Sequence, residues 1–170
     1  MVEQVEGPRH DPVLLEEVLE LAAPARPDGI LVDATVGLGG HAKALLERWP
    51  GARLIGIDRD PRALEIARER LAVFSGRVRL CEAKHETHIE ILDGEAVDRI
   101  YLLLADLGVS SLQLDEAHRG FSFRADGPLD MRMGEEGLTA ADLVNELDEK
   151  ALARLLRDWG EEPMAGPIAR

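Results

Sequence analysis

Gly29-Ile-Leu-Val-Asp33-Ala-Thr-Val-Gly37-Leu-Gly39-Gly40-His41-Ala42 is the stretch whose reading decides the fold. A short apolar run ends in an acid, passes through closely spaced glycines and enters a segment with Ala42, Leu45, Leu46 and Trp49 on one helical face. This is the pattern of strand, glycine turn and helix. Glycines let backbone turn sharply and approach a ligand closely, and the free N–H groups of the following helix then face a polar or anionic group. Gly37-x-Gly39-x-x-Ala42 also satisfies the loose dinucleotide fingerprint, which alone is compatible with a plain strand-to-helix connection.

Outward from this stretch the pattern repeats. Residues 53–58 form a second strand, again closed by an acid, Asp58. Asp60 can cap the next helix with Pro61 at its first position, and Ala63, Leu64, Ala67 and Leu71 form the buried stripe. Residues 77–81 are predicted as a third strand, 87–92 as a short helix and 99–105 as a fourth strand, apolar at nearly every position and so expected to be covered on both faces. Ahead of the glycine turn, residues 12–23 carry Leu14, Leu15, Val18, Leu19 and Ala22 at helical spacing, with Pro24 and Pro27 beyond. The βα alternation predicts an α/β fold with a mostly parallel sheet flanked by helices, and ligands beyond the carboxyl ends of its strands.

After Ser111 the periodicity fades. Residues 112–133 read as a long ordered loop or partner surface, Thr139 and Asp142 as a capping box opening a helix over 140–147, and a last helix from Glu149 carries Leu152, Leu155, Leu156 and Trp159 before Gly160. The expected organisation is a ligand-binding domain over 1–111 and a loop and helical insertion over 112–170.

Composition adds bounds. In 170 residues, 20 Lys plus Arg stand against 33 Asp plus Glu, a net charge of −13 that argues against a nucleic-acid binder unless the basic residues cluster. The single cysteine, Cys81, forms no internal disulfide and suits a reducing compartment. The first ten residues carry Glu3 and Glu6 and no apolar run, so neither a secretory signal nor a membrane span is predicted, and the expectation is a soluble, cytoplasmic protein.

Asp58, eighteen residues after Gly40, can accept hydrogen bonds from both hydroxyls of a ribose, which points to an adenosine-containing cofactor without separating a nicotinamide dinucleotide from S-adenosylmethionine. Its competing role is capping beside Asp60. The fourth strand runs into Asp106-Leu-Gly-Val-Ser110-Ser111, placing a second carboxylate next to the glycine turn if strands one and four are neighbours. Asp106 can alternatively cap a turn through the two serines.

Several further segments occur in one order: His10-x-Pro12-Val-Leu-Leu15, Asp33-Ala-Thr with Gly39-Gly40-His41, Asp58-Arg-Asp-Pro61, Asp106 to Ser111 with Gln113-Leu-Asp115, and Arg119-Gly-Phe-Ser-Phe123 with Gly127-Pro-Leu-Asp-Met-Arg132. Together they closely resemble the MraW-type methyltransferases, which methylate N4 of a cytosine in the decoding centre of 16S ribosomal RNA. The resemblance implies a Rossmann-like class I methyltransferase fold with a helical insertion after the fourth strand. It also implies S-adenosylmethionine held by Gly39, Gly40 and His41 at its methionine part and by Asp58 at the ribose, with Asp106 and Gln113 completing the site. His85 takes the position beside the adenine, where the family usually has phenylalanine and an imidazole can still stack. Asp106 is the candidate catalytic group. Family members continue beyond Gly160-Glu-Glu162 and Ile168-Ala-Arg170, so the sheet is expected to be incomplete at the C-terminus. The alternative is a catalytically silent domain that binds the cofactor or a ribosomal partner. No metal site is expected, because His85 and His88 have no third ligand.

Overall fold

The computed structural model describes residues 12–22, 28–84, 87–95, 97–134 and 136–170. They fall into two compact units, Met1–Ser110 and Ser111–Arg170.

The first unit is an α/β layer structure. Its strands are β1 (Ile30–Asp33), β2 (Arg53–Asp58), β3 (Val78–Glu82) and β4 (Leu102–Leu104), all parallel, in the order β3-β2-β1-β4. Helices α1 (Leu15–Leu21), α2 (Gly40–Arg48), α3 (Pro61–Arg70) and α4 (His88–Gly94) belong to the same unit. Alternation along the two central strands divides the core between the two faces of the sheet. Leu31 and Leu54 pack with Leu45 and Leu46 of α2 and Leu64 of α3 on one face. Val32, Ile55 and Ile57 pack with Ile91 and Leu92 of α4 on the other. The helices form where the sequence places their signals: Asp60 accepts from the Arg62 N–H at 3.0 Å, Pro61 opens α3, and Ala63, Leu64 and Ala67 are buried.

Two expectations need correction. The fourth strand is three residues long, and Leu103 is 46% exposed while Leu102 and Leu104 pack on the core. β4 is hydrogen-bonded to β1 alone, so among the described residues it is an edge strand whose second face is open. An apolar run does not by itself tell a strand covered on both faces from one covered on a single face. The first helix begins at Leu15, after Leu14 has turned into the left-handed region at φ 52, so Leu14 leaves the predicted stripe and is 63% exposed.

The second unit is helical. It contains α5 (Ser111–Asp115), α6 (Ala140–Glu146), α7 (Glu149–Asp158) and α8 (Ala165–Ala169), and a 3₁₀ turn at Ala117–Arg119. Thr139 and Asp142 form the anticipated capping box, with the Thr139 N–H donating to Asp142 at 2.8 Å and the Asp142 N–H donating to the Thr139 hydroxyl at 3.0 Å. α5 is a helix inside the stretch read as loop; five residues are too few for a periodicity to show. Trp159, the cap residue that follows α7, is 88% exposed and so stands outside the stripe formed by Leu152, Leu155 and Leu156.

Candidate active site

Parallel strands put their carboxyl ends on one edge of the sheet, and here the three adjacent strands β2, β1 and β4 end in or just before an acid. Asp58 closes β2, Asp33 closes β1, and Asp106 lies two residues past β4. They differ in exposure: Asp33 is buried, Asp58 half-buried and Asp106 exposed.

The chain after β1 is a four-residue strap, residues 34–37, stitched to both neighbouring strand ends. The Ala34 N–H donates to the Leu104 carbonyl at 2.8 Å, and the Asp106 N–H donates to the Thr35 hydroxyl at 2.7 Å. On the other side the Val36 N–H donates to the Ile57 carbonyl at 2.9 Å and the Gly37 N–H to Asp58 Oδ2 at 2.8 Å. The remaining Asp58 oxygen, Oδ1, accepts from the Asp60 N–H at 2.9 Å. Asp58 therefore ties the glycine turn to the start of α3 with both oxygens. Each carboxylate oxygen has a second lone pair, so the group can still accept from ligand hydroxyls.

Gly37 and Gly39 have φ of 50° and 78°, in the left-handed region that glycine occupies without strain. A Cβ on Gly37 would meet nothing closer than the Thr35 carbonyl oxygen at 3.8 Å, whereas one on Gly40 would lie 2.6 Å from Pro12 Cγ. Gly40 is thus required by packing under Pro12, and Gly37 is the glycine that leaves open space. α2 starts at Gly40 with no side-chain cap, which leaves first-turn N–H groups available to an acceptor. His41 Nε2 donates to the Val13 carbonyl at 2.8 Å, which fixes a proton on that nitrogen and orients the ring.

Burial pushes the Asp33 carboxyl up to about 7, reinforced by the charges of Asp58 and Asp106 and opposed by the Thr35 N–H, which donates to Oδ1 at 3.2 Å. Burial also raises Asp58, against the hydrogen bonds from the Asp60 and Gly37 N–H groups. The three acids give this edge of the sheet a negative field that favours a cationic ligand group.

The structure brings Gly39, Gly40, His41, Asp58 and Asp106 to one end of the first unit's sheet. Gln113 belongs to the second unit, on α5, where it is buried and its amide donates to the Met133 carbonyl at 3.3 Å. His85 lies outside the described residues. Sequence reading passed over Asp33 and Thr35 as site residues. Their signal was present in the acid that ends β1 and in the one strap residue with a polar side chain, but the partner of Thr35 is 71 residues away.

A sheet of this order, with a glycine turn after β1 and an acid ending β2, defines a nucleoside-cofactor-binding α/β domain. The chain belongs to the MraW methylase family, whose model matches residues 7–170. It is 53% identical over 167 residues to the ribosomal RNA small subunit methyltransferase H of Thermobifida fusca, covering 96% of this chain and 51% of that protein. It is also 53% identical over 168 residues to the protein of the same name from Mycolicibacterium smegmatis, covering 94% and 45%. The chain spans about half the length of the curated relatives it matches. Among solved structures, P. horikoshii TYW2 in complex with MeSAdo overlaps it with a TM-score of 0.41 at 16% identity, covering 89% of this chain and 54% of that one.

Proposed function

We propose that this chain carries the cofactor site of an S-adenosylmethionine-dependent methyltransferase. It modifies the exocyclic N4 of a cytosine in the decoding centre of 16S ribosomal RNA within the small ribosomal subunit, in the cytoplasm. The observation that carries the reading is the Asp58 carboxylate, bound to the glycine turn and still able to accept from a ribose.

The donor set suits this cofactor. In this reading Asp58 takes the ribose hydroxyls, the start of α2, which has no side-chain cap, takes the carboxylate of the amino-acid part with Gly39, Gly40 and His41, and Asp106 is assigned to the cationic end. The family resemblance also assigns cofactor contacts to Gln113 and to His85. Bound there, S-adenosylmethionine supplies a sulfonium methyl group that is already strongly electrophilic. The protein's part is to hold an amine in line with the carbon–sulfur bond. The lone pair of a cytosine amine is delocalised into the ring; in this reading Asp106, accepting one of its N–H groups, returns density to nitrogen.

The insertion over 112–170 serves as the substrate-recognition part. Asp106-Leu-Gly-Val lacks the prolines and aromatic ring with which many base-amine methyltransferases hold the extruded base. The ring then comes from elsewhere. Phe121 is half-buried, the exposure of a ring that packs the loop, whereas Phe123 is fully exposed and offers its face to a base. Of the arginines at 119, 124 and 132, Arg132 pairs with Asp130 at 2.7 Å and Arg119 donates to the Arg132 and Met133 carbonyls at 3.1 Å, so Arg124 beside Phe123 is the best candidate for an RNA phosphate.

Calorimetric titration of S-adenosylmethionine tests the site. Asp58→Ala, which removes the ribose acceptor and releases Gly37, is expected to weaken binding by about a hundredfold or more, on the order of two charge-assisted hydrogen bonds. Unchanged affinity sinks the reading. Incubation with labelled cofactor and unmodified small subunits then separates an enzyme, which transfers label to RNA, from a silent domain, which binds without transfer.

A further inference from the structure

We infer that Thr35 is a positioning residue: its hydroxyl holds the Asp106 turn beside the glycine turn by the backbone, and so leaves the Asp106 carboxylate for the ligand. The inference rests on the reading of this site as an S-adenosylmethionine pocket and says how its reactive end is set.

The side-chain bonds on the two sides of the strap have opposite polarity. Toward β2, a strap N–H donates to a strand-end side chain: Gly37 to Asp58, 2.8 Å. Toward β4, a strap side chain accepts from strand-end backbone: the Asp106 N–H to the Thr35 hydroxyl, 2.7 Å. Among residues 34–37, Ala-Thr-Val-Gly, Thr35 alone has a hydrogen-bonding side chain. Asp58 therefore spends part of its acceptor capacity on the fold. Asp106 is held without using its side chain, and among the described residues no hydrogen bond or ion pair engages its carboxylate. Thr35 is itself anchored, its N–H donating to Asp33 Oδ1 at 3.2 Å, and Asp33 is fully buried. A chain of two hydrogen bonds thus runs from the buried acid through Thr35 to the backbone of the exposed one. Since the strap also binds Ala34 to Leu104 and Val36 to Ile57, it fixes the separation of Asp58 from Asp106, the two ends of the ligand site.

A β-branched side chain has restricted χ1, so Thr35 presents its oxygen in a defined direction; valine keeps the shape and deletes the acceptor. The backbone bonds of Ala34, Val36 and Gly37 do not involve this side chain, and Thr35→Val is expected to fold. The test measures the 170-residue chain against three probes by calorimetry: S-adenosylmethionine, S-adenosylhomocysteine and 5′-methylthioadenosine. Thr35→Val should weaken S-adenosylmethionine by roughly tenfold, the scale of one lost hydrogen bond to a charge-bearing site, while 5′-methylthioadenosine, which lacks the amino-acid part and the sulfonium charge, changes by less than about twofold. S-adenosylhomocysteine, without the sulfonium charge, should lose less than S-adenosylmethionine. Thr35→Ser should restore all three. Equal loss for every probe, or no loss for any, overturns the inference. Amide hydrogen exchange without ligand gives an independent readout, because the Asp106 N–H should exchange faster in Thr35→Val and be protected again in Thr35→Ser. Unchanged exchange in the valine variant also overturns it. Should the wild-type chain bind none of the probes, the pocket reading falls, and the exchange comparison still decides whether Thr35 holds Asp106.

Discussion

The two units of this chain are held by different physics, and their aspartates show it. In Met1–Ser110 the sheet and its helices bury Leu31, Leu45, Leu46, Leu54, Ile57 and Leu71 almost completely. The same burial traps Asp33, whose carboxyl rises to about 7. In Ser111–Arg170 the described residues that are buried are few, namely Leu112, Gln113, Leu152, Ala153 and Ala165, and local polar bonds carry much of the order. Asp148 caps α7 through the Ala151 N–H at 2.8 Å, and Asp130 takes the Arg132 side chain at 2.9 and 2.7 Å as well as its backbone N–H at 2.9 Å. These hydrogen bonds from Arg132 hold the Asp130 carboxyl down at about 2. The first unit, beside fasteners such as Asp58 and Asp60, tolerates an acid that its core disfavours; in the second the acids named here are fasteners. The first arrangement suits a ligand site, because a disfavoured charge is one a cationic ligand can relieve.

The contrast is open to attack at three points. Leu46→Ala, opening a cavity between α2 and the sheet, should destabilise the chain by about 3 kcal/mol in chemical denaturation. A loss below about 1 kcal/mol would mean that the first unit is not organised by its core. Asp33→Asn should raise the melting temperature at pH 8 by a few degrees, roughly 2–4 °C, with the gain fading toward pH 4. The sign follows from the raised carboxyl. Between about 3.8 and about 7 the native state keeps a proton that the unfolded chain has lost, so stability falls as pH climbs through that window and is level above it. A gain independent of pH would remove the buried charge from the account. Asp130→Asn should have the smallest effect, about 0.5–1 kcal/mol, since the pair with Arg132 is partly solvated. Its pH dependence runs the other way: the lowered carboxyl contributes stability above about pH 4 that is lost as pH falls toward about 2. Thermal melts of both aspartate variants between pH 2 and pH 8 compare the two slopes directly, and slopes of equal sign would erase the distinction between the units.

The charge balance of −13 argues against a nucleic-acid partner unless basic residues cluster, whereas the proposed function gives the chain an RNA substrate. A net charge sums over the whole surface and is blind to where a single arginine beside an exposed phenylalanine stands. The described helices include none long and apolar enough to cross a membrane.

Local chemistry was legible in the residues themselves. β2 occupies the predicted 53–58, α3 opens at Pro61 behind Asp60, and the Thr139–Asp142 box starts α6, because strand composition and capping act over a few neighbouring positions. The parallel sheet and the acids at its carboxyl edge followed from repeating that local pattern. What needed the folded chain was every relation across long stretches: that β4 stands at an edge with Leu103 open, that Gly40 is glycine because Pro12 packs on it, that Asp58 fastens Gly37, and that Thr35 meets Asp106. Side-chain propensities report the neighbours in sequence; the neighbours in space are chosen only when the strands align and the core closes around them.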